Sequence, residues 1–479
     1  MPRTVLVLDV GTSSLKAVLF TREGEIAGSA EAAYAPGPRQ HRQDAEAWWS
    51  AVREAIAKLG ADRIEAISLT GAMENLIPVD EAGRALCYAI LYSDPCGSDA
   101  LAAARGALGA LGAAEIVGNE PEPLMTAFKI GWLRDANPEI SKRAAFLLPG
   151  AKDVIAMRLT GGAVTDPATA TTTGLMNLGE RSWSRPVAEA LDIPLRMMPE
   201  ILPANAIIGP VSPAVVADLG LASDREILVV NGCGDAGATT LGSFCEAPGD
   251  ISLYLGTTGW LARVVDAVGA ERGRPVYRLA HPSSGLLIEI TPILAAGAAS
   301  AWAREALSLS DATAEDALAA ADKEPADILF LPYLSGERFP FMDTQVRGAF
   351  LGLGAEHNAA TLYYAVPEGF GFAIRANLDA IDPGGDGRIR FVGGGTKSTV
   401  WAQMLADILG RPIAIPESAS FATCMGAFIV AAEAFGLPRP QARLSRTIIP
   451  RPERQTRAKR LAAAFTEATA FARGLRLRD

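Results

Sequence analysis

The chain has 479 residues, of which 49% are hydrophobic and 20% charged, a composition typical of a compact folded protein and not of a disordered one. A chain of this length exceeds what one hydrophobic core usually organises, so we expect two domains of about 200 to 250 residues. The formal charge of −10 argues against nucleic acid or an anionic membrane as a partner and favours small molecules.

The first part of the chain predicts a sheet with helical crossovers. Apolar runs at residues 5–8 and 17–20 predict two strands joined by the polar turn 9–14. Apolar and aromatic residues recur at helical spacing over residues 44–59, with Asp44 in position to cap the helix. A further strand is predicted at residues 64–69.

The same pattern of strand, polar turn and strand returns at residues 251–265, about 245 residues later. Because this separation is half the chain, it predicts a duplicated α/β domain with a cleft between the copies. We place the domains at residues 1–245 and 246–479. Basic and apolar residues in an alanine-rich setting predict a terminal helix near 451–478.

The two polar turns are candidate phosphate sites. Asp9 ends a buried strand, where its carboxylate is placed to hold a hydrated Mg²⁺, and the next residues offer N–H groups and hydroxyls to phosphate oxygens. An Asp that only stabilises a turn is the alternative, but the second polar turn favours the phosphate interpretation. The candidates are Gly11, Thr12, Ser13, Lys16, Gly256, Thr257 and Thr258.

A glycine-rich segment follows the predicted strand 388–392 and precedes an amphipathic helix. Glycines allow a flat ligand to approach the backbone, and a helix N-terminus favours negative charge, so a nucleotide site is predicted at Gly394, Gly395, Lys397 and Ser398. A connection needed only for packing is the alternative. The absence of G-x-x-x-x-G-K-[ST] excludes an ordinary P-loop enzyme.

Residues 232–237 spell GxGxxG after a predicted strand, which is the sign of a dinucleotide-binding dehydrogenase. That fingerprint requires an acid at the end of the next strand, and this strand ends in Gly256 instead. A second interpretation is chemically attractive, because Asp235 at a helix start among glycines is placed to act as a general base on a substrate hydroxyl.

Two further acids follow strand-like segments. Glu74 comes shortly after Gly71, and Asp94 lies in a predicted loop. Carboxylates beside apolar surface suit the hydroxyls of a polyol, although each acid alone also reads as an ordinary turn residue.

Cysteine, histidine and hydropathy patterns narrow the class of protein. The five cysteines are odd in number and include no CxxC pair, and the three histidines lack metal-ligand spacing. No uncharged apolar stretch approaches 18 residues. We therefore expect a cytoplasmic protein without disulfides, zinc or a membrane span.

Together these segments resemble the FGGY family of carbohydrate kinases, within the actin, Hsp70 and hexokinase structural class, and most nearly its xylulokinase-like branch. The matching motifs are residues 8–16, 129–134, 232–235, 255–259, 332–338, 347–353 and 393–398. The resemblance implies two ribonuclease-H-like α/β domains that close over an active-site cleft. It also implies ATP with Mg²⁺ and transfer of phosphate to a terminal hydroxyl.

By this resemblance Asp235 matches the catalytic base and Asp9 the metal-associated acid. Thr12, Thr257 and Thr258 match phosphate-loop positions; Gly297, Gly394 and Ser398 match nucleotide contacts; Met73, Glu74 and Asp94 fall on the sugar side. Two departures concern the sugar. Glu74 replaces the histidine usual in xylulokinases and is more like glycerol kinases, and Cys96 replaces the arginine of a Trp-x-Asp-x-Arg pattern.

The expected function is ATP-dependent phosphorylation of D-xylulose to D-xylulose 5-phosphate. Another ketose, gluconate, or a polyol such as glycerol or erythritol is the alternative substrate. An actin-like ATPase module without sugar transfer is the alternative from another class. Homodimers are common among such kinases, so a homodimer is expected by analogy.

Overall fold

The computed structural model describes residues 3–35, 37, 41–222, 224–256, 259–266, 276–294 and 296–475. The chain forms two compact units, each discontinuous in sequence. Unit 1 comprises Met1–Gly242, Arg278–Ile288 and Ala422–Gln441. Unit 2 comprises Ser243–Tyr277, Glu289–Phe421 and Ala442–Asp479.

Strands and helices alternate along the chain. The strands are β1 (Thr4–Val10), β2 (Ser14–Thr21), β3 (Ile26–Ala33), β4 (Arg42–Gln43), β5 (Ala66–Gly71), β6 (Ile77–Val79), β7 (Ala89–Ile90), β8 (Phe146–Leu148), β9 (Val164–Thr165), β10 (Met176–Asn177), β11 (Ser182–Trp183), β12 (Glu200–Ile201), β13 (Ile207–Pro210), β14 (Leu228–Gly234), β15 (Ile251–Leu255), β16 (Gly259–Val265), β17 (Tyr277–Ala280), β18 (Leu287–Ile293), β19 (Leu329–Leu331), β20 (Ala349–Leu351), β21 (Ile389–Val392), β22 (Ile413–Pro416) and β23 (Leu444–Ile448). The helices are α1 (Ala45–Leu59), α2 (Ser98–Leu111), α3 (Ala113–Val117), α4 (Thr126–Ala136), α5 (Pro138–Arg143), α6 (Ala151–Thr160), α7 (Pro167–Thr171), α8 (Arg185–Ala190), α9 (Pro213–Leu219), α10 (Asp235–Gly242), α11 (Ala296–Ala306), α12 (Asp311–Ala321), α13 (Ala359–Ile381), α14 (Thr399–Leu409), α15 (Ala422–Phe435) and α16 (Gln455–Gly474).

The main sheet of unit 1 has the strand order β13-β14-β5-β1-β2-β3. β1 pairs with β2 as an antiparallel hairpin, while β1, β5 and β14 run parallel to one another. Leu6 and Leu8 join the core formed with α1 and α6. On the other face, Phe20 stacks on Phe428 of α15 with ring centroids 4.8 Å apart. Both faces of the sheet are therefore covered, which explains why residues 5–8 are an unbroken apolar run.

Unit 2 repeats this topology. Its strands β16-β15-β21-β22-β23 match β2-β1-β5-β14-β13 in order, and the pairings have the same directions. In each unit an antiparallel hairpin thus leads into a parallel core closed by an antiparallel edge strand. The predicted pair of ribonuclease-H-like α/β domains is confirmed.

Several predicted elements are confirmed with small shifts in their ends. The helix over residues 44–59 is α1, and Asp44 caps it by accepting a hydrogen bond from the N–H of Glu46. The predicted strand 251–255 is β15. The terminal helix begins later than predicted, at Gln455, because Pro452 opens a short 3₁₀ turn before it. No helix within the described ranges is long and apolar enough to cross a membrane.

Candidate active site

Three predicted acids of unit 1 lie at or shortly after the carboxyl ends of three parallel strands. β1, β5 and β14 are in register there, with Val10 opposite Gly71 and Gly71 opposite Gly234. Asp9 is the penultimate residue of β1, Glu74 follows the end of β5, and Asp235 directly follows β14. In parallel α/β sheets this edge is where ligands bind.

Asp235 is the first residue of α10, and its Oδ1 accepts a hydrogen bond of 2.8 Å from the N–H of Ala236. Burial, reinforced by the negative charge of Asp9, raises the pKa of Asp235 to about 7. A carboxylate with this pKa has a proton affinity suited to general-base catalysis near neutral pH.

Asp9 lies across the β1–β2 hairpin from Lys16. Burial raises the pKa of Asp9 to about 6, while the positive charge of Lys16 opposes that rise. Among the described residues, no group of three or more His, Cys, Asp and Glu side chains is placed to hold a metal ion. A single ionised carboxylate is nevertheless what Mg²⁺ commonly uses when phosphate oxygens and water complete its shell.

The turn after β1 presents backbone and hydroxyl groups. The N–H of Gly11 donates to the carbonyl of Ser14 at 3.2 Å, and Thr12 and Ser13 are exposed. Tyr92 lies close to this turn, since the Thr12 side chain opposes the rise in its pKa. Burial, together with the nearby charges of Asp235 and Glu74, raises the pKa of Tyr92, so the aromatic ring belongs to the same site.

The turn after β5 is held from beneath by a buried lysine. Glu74 has a left-handed backbone (φ 59°), and its carbonyl accepts a hydrogen bond of 2.5 Å from Lys129 Nζ. Burial lowers the pKa of Lys129 to about 8, although the charge of Glu74 opposes the shift. Met73 packs so closely on Gly234 that a Cβ there would lie 1.9 Å from its sulfur.

Asp94 is balanced by an arginine distant in sequence. Its Oδ1 accepts a hydrogen bond of 2.9 Å from the N–H of Cys96, and its other oxygen forms an ion pair with Arg42. The guanidinium of Arg42 also lies 5.2 Å from the centre of the Trp132 ring. Arg42 therefore supplies positive charge next to Asp94.

Arg42, Lys129 and Tyr92 are not among the predicted site residues. Lys129 opens the family motif 129–134, and Tyr92 lies two residues before the predicted Asp94, so both lie in segments that already pointed to the site. Arg42 had no such signal, because it meets Asp94 through tertiary contacts that include the pairing of β4 with β7.

In unit 2, the ends of neighbouring parallel strands bring some of the other predicted residues close together. β15 pairs with β21, so Gly256 lies beside the glycine-rich segment that follows β21. The N–H of Gly297 donates to the carbonyl of Gly256 at 3.1 Å. Gly393 has φ 93°, and a Cβ on it would lie 2.5 Å from the carbonyl oxygen of Leu255, so the backbones approach closely.

The predicted nucleotide residues differ in what they present. Gly394 and Lys397 are exposed, whereas Gly395 is buried. Ser398 caps α14 and its hydroxyl donates to Glu315 at 2.9 Å. Thr257 and Thr258 lie outside the described residues.

Comparison with known proteins assigns the chain. Two models of the FGGY family of carbohydrate kinases match it. The N-terminal domain model matches residues 4–242, and the C-terminal domain model matches residues 285–435. The chain belongs to the FGGY family of carbohydrate kinases. The predicted family and the predicted class of enzyme, an ATP-dependent sugar kinase, are confirmed.

Individual FGGY kinases align over nearly the whole chain. The xylulose kinase of Escherichia coli (strain K12) is 31% identical over 433 residues, which is 88% of each chain. The crystal structure of gluconate kinase from Lactobacillus acidophilus superposes with a TM-score of 0.88 at 26% identity, covering 99% of both chains. Xylulose kinase from Rhodospirillum rubrum gives a TM-score of 0.87 at 26% identity, covering 99% of this chain and 100% of that one.

Family membership rules out the dehydrogenase interpretation of residues 232–237. Gly232 serves the strand itself, since its φ is 70° and a Cβ there would lie 1.6 Å from the carbonyl oxygen of Leu69. The glycine is therefore explained by the path of β14, without a dinucleotide.

Proposed function

We propose that this FGGY kinase transfers the γ-phosphate of ATP to a terminal hydroxyl of D-xylulose, giving D-xylulose 5-phosphate and ADP, with Asp235 as the general base. The observation that carries the proposal is the meeting of Asp9, Glu74 and Asp235 at one sheet edge, with Asp235 given a near-neutral pKa by burial.

Asp235 has the chemistry that the transfer needs. In its ionised form it accepts the proton of the sugar hydroxyl while the hydroxyl oxygen bonds to the γ-phosphorus and the bond to the β-phosphate oxygen breaks. Phosphoryl transfer depends chiefly on positioning and charge stabilisation, so one well-placed carboxylate is sufficient as the base.

Asp9 and the turn after it suit the phosphate end of the nucleotide. Mg²⁺, when bound, neutralises charge on the phosphate oxygens. Asp9 would hold it, and the exposed Thr12 and Ser13 offer hydroxyls to the phosphates. In unit 2, Gly256, Gly297, Gly394, Gly395, Lys397 and Ser398 are proposed as the nucleotide-binding surface.

D-xylulose is the preferred substrate because several similar proteins are named xylulose kinases. A polyol such as glycerol or erythritol is the second candidate, favoured by one feature. Glu74 places a carboxylate where xylulokinases usually have histidine, and Met73, Glu74 and Asp94 then offer mostly acceptors to substrate hydroxyls. Acceptors with a negative charge suit a neutral substrate better than an acid such as gluconate.

A coupled assay of ADP release tests the proposal. Purified enzyme with MgATP is presented with D-xylulose, other pentuloses and hexuloses, gluconate, glycerol and erythritol. We expect the highest kcat/KM with D-xylulose. A higher kcat/KM with glycerol or erythritol would contradict the ketose assignment and support the polyol. If none of these compounds stimulates ADP release, the result would contradict the phosphorylation of a sugar or a polyol.

A further inference from the structure

A buried ion triplet lies behind the strand that leads to Asp235. The side chains of Lys152, Asp153 and Asp166 are each 0% exposed. Lys152 Nζ lies 2.7 Å from Asp153 Oδ1 and 3.2 Å from Asp166 Oδ2. Burying such charges costs several kcal/mol that pairing offsets only in part, and an apolar set of the same volume is often as stable. The contribution of the triplet is therefore better sought in the geometry that it imposes.

The triplet is bonded to β14 through Asn231. The Nζ of Lys152 lies 3.3 Å from Asn231 Oδ1, and the Nδ2 of Asn231 donates to the carbonyls of Thr165 and Leu202 at 3.0 Å each. Asn231 is itself fully buried. Hydrogen bonds to both Oδ1 and Nδ2 therefore fix the side chain of Asn231, and they restrain its backbone as well.

Asn231 is part of an irregularity in β14. Pairing with β5 is regular up to Val230, lapses at Asn231 and Gly232, and resumes at Cys233. A bulge of this kind turns the remainder of a strand and re-aims the residues that follow. Asp235 comes three residues after Gly232, so the shape of the bulge determines where its carboxylate lies.

The triplet reaches Asp235 by a second route through α7. Asp166 caps α7 by accepting hydrogen bonds from the N–H groups of Ala168 and Thr169 at 2.9 and 3.1 Å. A Cβ at Gly234 would lie 2.9 Å from Thr169 Oγ1, and one at Gly237 would lie 3.2 Å from the Cβ of Ala168. α7 therefore packs against the backbone on both sides of Asp235.

We propose that Lys152 is a positioning residue for Asp235, because its ammonium ties Asn231 in the β14 bulge to Asp166 at the start of α7. This inference rests on the proposed role of Asp235 as the base. The side chain of Lys152 is fully buried, so the proposed role does not require it to contact either reactant. Its removal is expected to lower the rate of transfer while leaving substrate binding nearly unchanged.

The test compares Lys152→Met, Asn231→Ala and Asn231→Ser with the control Arg411→Met. Arg411 is equally suited to report a lost buried charge, since its side chain is 5% exposed and bonds Asp382 at 2.6 Å in unit 2. For each variant, the melting temperature, kcat, and KM for sugar and for ATP are measured. The outcome is judged on the folded test variant whose melting temperature lies nearest to that of the wild type.

We expect kcat to fall about 10- to 100-fold in the test variants, the loss typical of a displaced catalytic group, with both KM values within about threefold of wild type. The control should lose stability and keep its kcat. A folded test variant with wild-type kcat, or one that loses no more kcat than Arg411→Met at a similar melting temperature, would overturn the inference.

Asp235→Asn in the same assay separates this inference from the proposed function. If Asp235→Asn abolishes transfer while the test variants match wild type, only the positioning role of Lys152 fails. If Asp235→Asn retains wild-type turnover, the assignment of the base fails, and the positioning role fails with it.

Discussion

The proposed role of Asp235 as the base makes turnover depend on the protonation state of this residue. Because its pKa is raised to about 7, a large share of the free enzyme carries a protonated, inactive base below that pH. We expect kcat/KM for the sugar to rise about tenfold per pH unit below pH 7 and to level off above it. A profile that is flat from pH 5.5 to 8 would contradict the assignment.

The same carboxyl should destabilise the folded protein. Between its unfolded pKa near 4 and its folded pKa near 7, the folded state holds the proton more tightly, so stability falls as pH rises through this window. Asp235→Asn removes the charge and keeps an acceptor for the N–H of Ala236. We expect the variant without ligands to melt about 2 to 6 °C above wild type at pH 8, with the difference shrinking towards pH 4.

A helix cap elsewhere provides the control for this stability effect. Asp44→Asn also keeps its hydrogen bond to the N–H of Glu46, but Asp44 is exposed. Its melting temperature should stay within about 1 °C of wild type at every pH. If the Asp235→Asn protein melts at or below the wild-type temperature at pH 8, the buried charge of Asp235 does not destabilise the folded protein.

Arg42 should affect the sugar more than the nucleotide. Arg42→Met leaves Asp94 without its ion-pair partner, although Asp94 is largely buried. We expect KM for the sugar to rise about tenfold or more and KM for ATP to change less than threefold. Arg53→Met, which breaks the more exposed pair with Asp218, is the matched control and should change neither constant. Equal effects of Arg42→Met on both constants would remove Arg42 and Asp94 from the sugar side.

At the scale of elements, the β14 bulge is tightly constrained by close backbone contact. Gly232→Ala would place a Cβ 1.6 Å from the carbonyl oxygen of Leu69 in a left-handed backbone, so β14 would have to move. We expect a loss of about 3 kcal/mol or more in unfolding free energy, measured by denaturant titration. Gly220→Ala has a similar φ of 63° and open space around it, so it should cost only about 1 kcal/mol. Equal losses in the two variants would show that the approach to Leu69 is unimportant.

The strands and helices nearest the site follow from local sequence. Residues 5–8 are apolar because both faces of β1 are covered, and Asp44 caps α1 through its own side chain. These are short-range effects that a sequence displays. The β14 bulge is different, because it depends on contacts of Asn231 with residues that are 29 and 66 positions away.

The same distinction applies to the site residues. Asp9, Glu74 and Asp235 could be predicted as site residues because each comes at or after the end of a recognisable strand, and parallel pairing brings those strand ends together. Arg42 and the Lys152 triplet were not predicted because their partners are set by tertiary packing. Local sequence does not distinguish a buried lysine from the exposed lysines that are far more common.

At the scale of the whole molecule, the repeated hairpin correctly indicated two domains of like topology. What the sequence pattern did not signal is that Ala422–Gln441 belongs to unit 1. The reason is visible in the packing, where Gly426 of α15 lets the backbone of Ala238 approach so closely that a Cβ would lie 1.9 Å from its carbonyl oxygen. α10 and α15 therefore pack backbone to backbone, a contact that a glycine in a hydrophobic helix does not reveal by itself.

We propose that Asp235 is the base of this sugar kinase. The most direct measurement is ADP release from MgATP at pH 8 with and without D-xylulose, for wild type and Asp235→Asn side by side. We predict sugar-dependent release by the wild-type enzyme and a loss of about 10²- to 10⁴-fold in the variant, with its fold intact by thermal melting. Undiminished sugar-dependent turnover by the Asp235→Asn protein would contradict the assignment of Asp235 as the base.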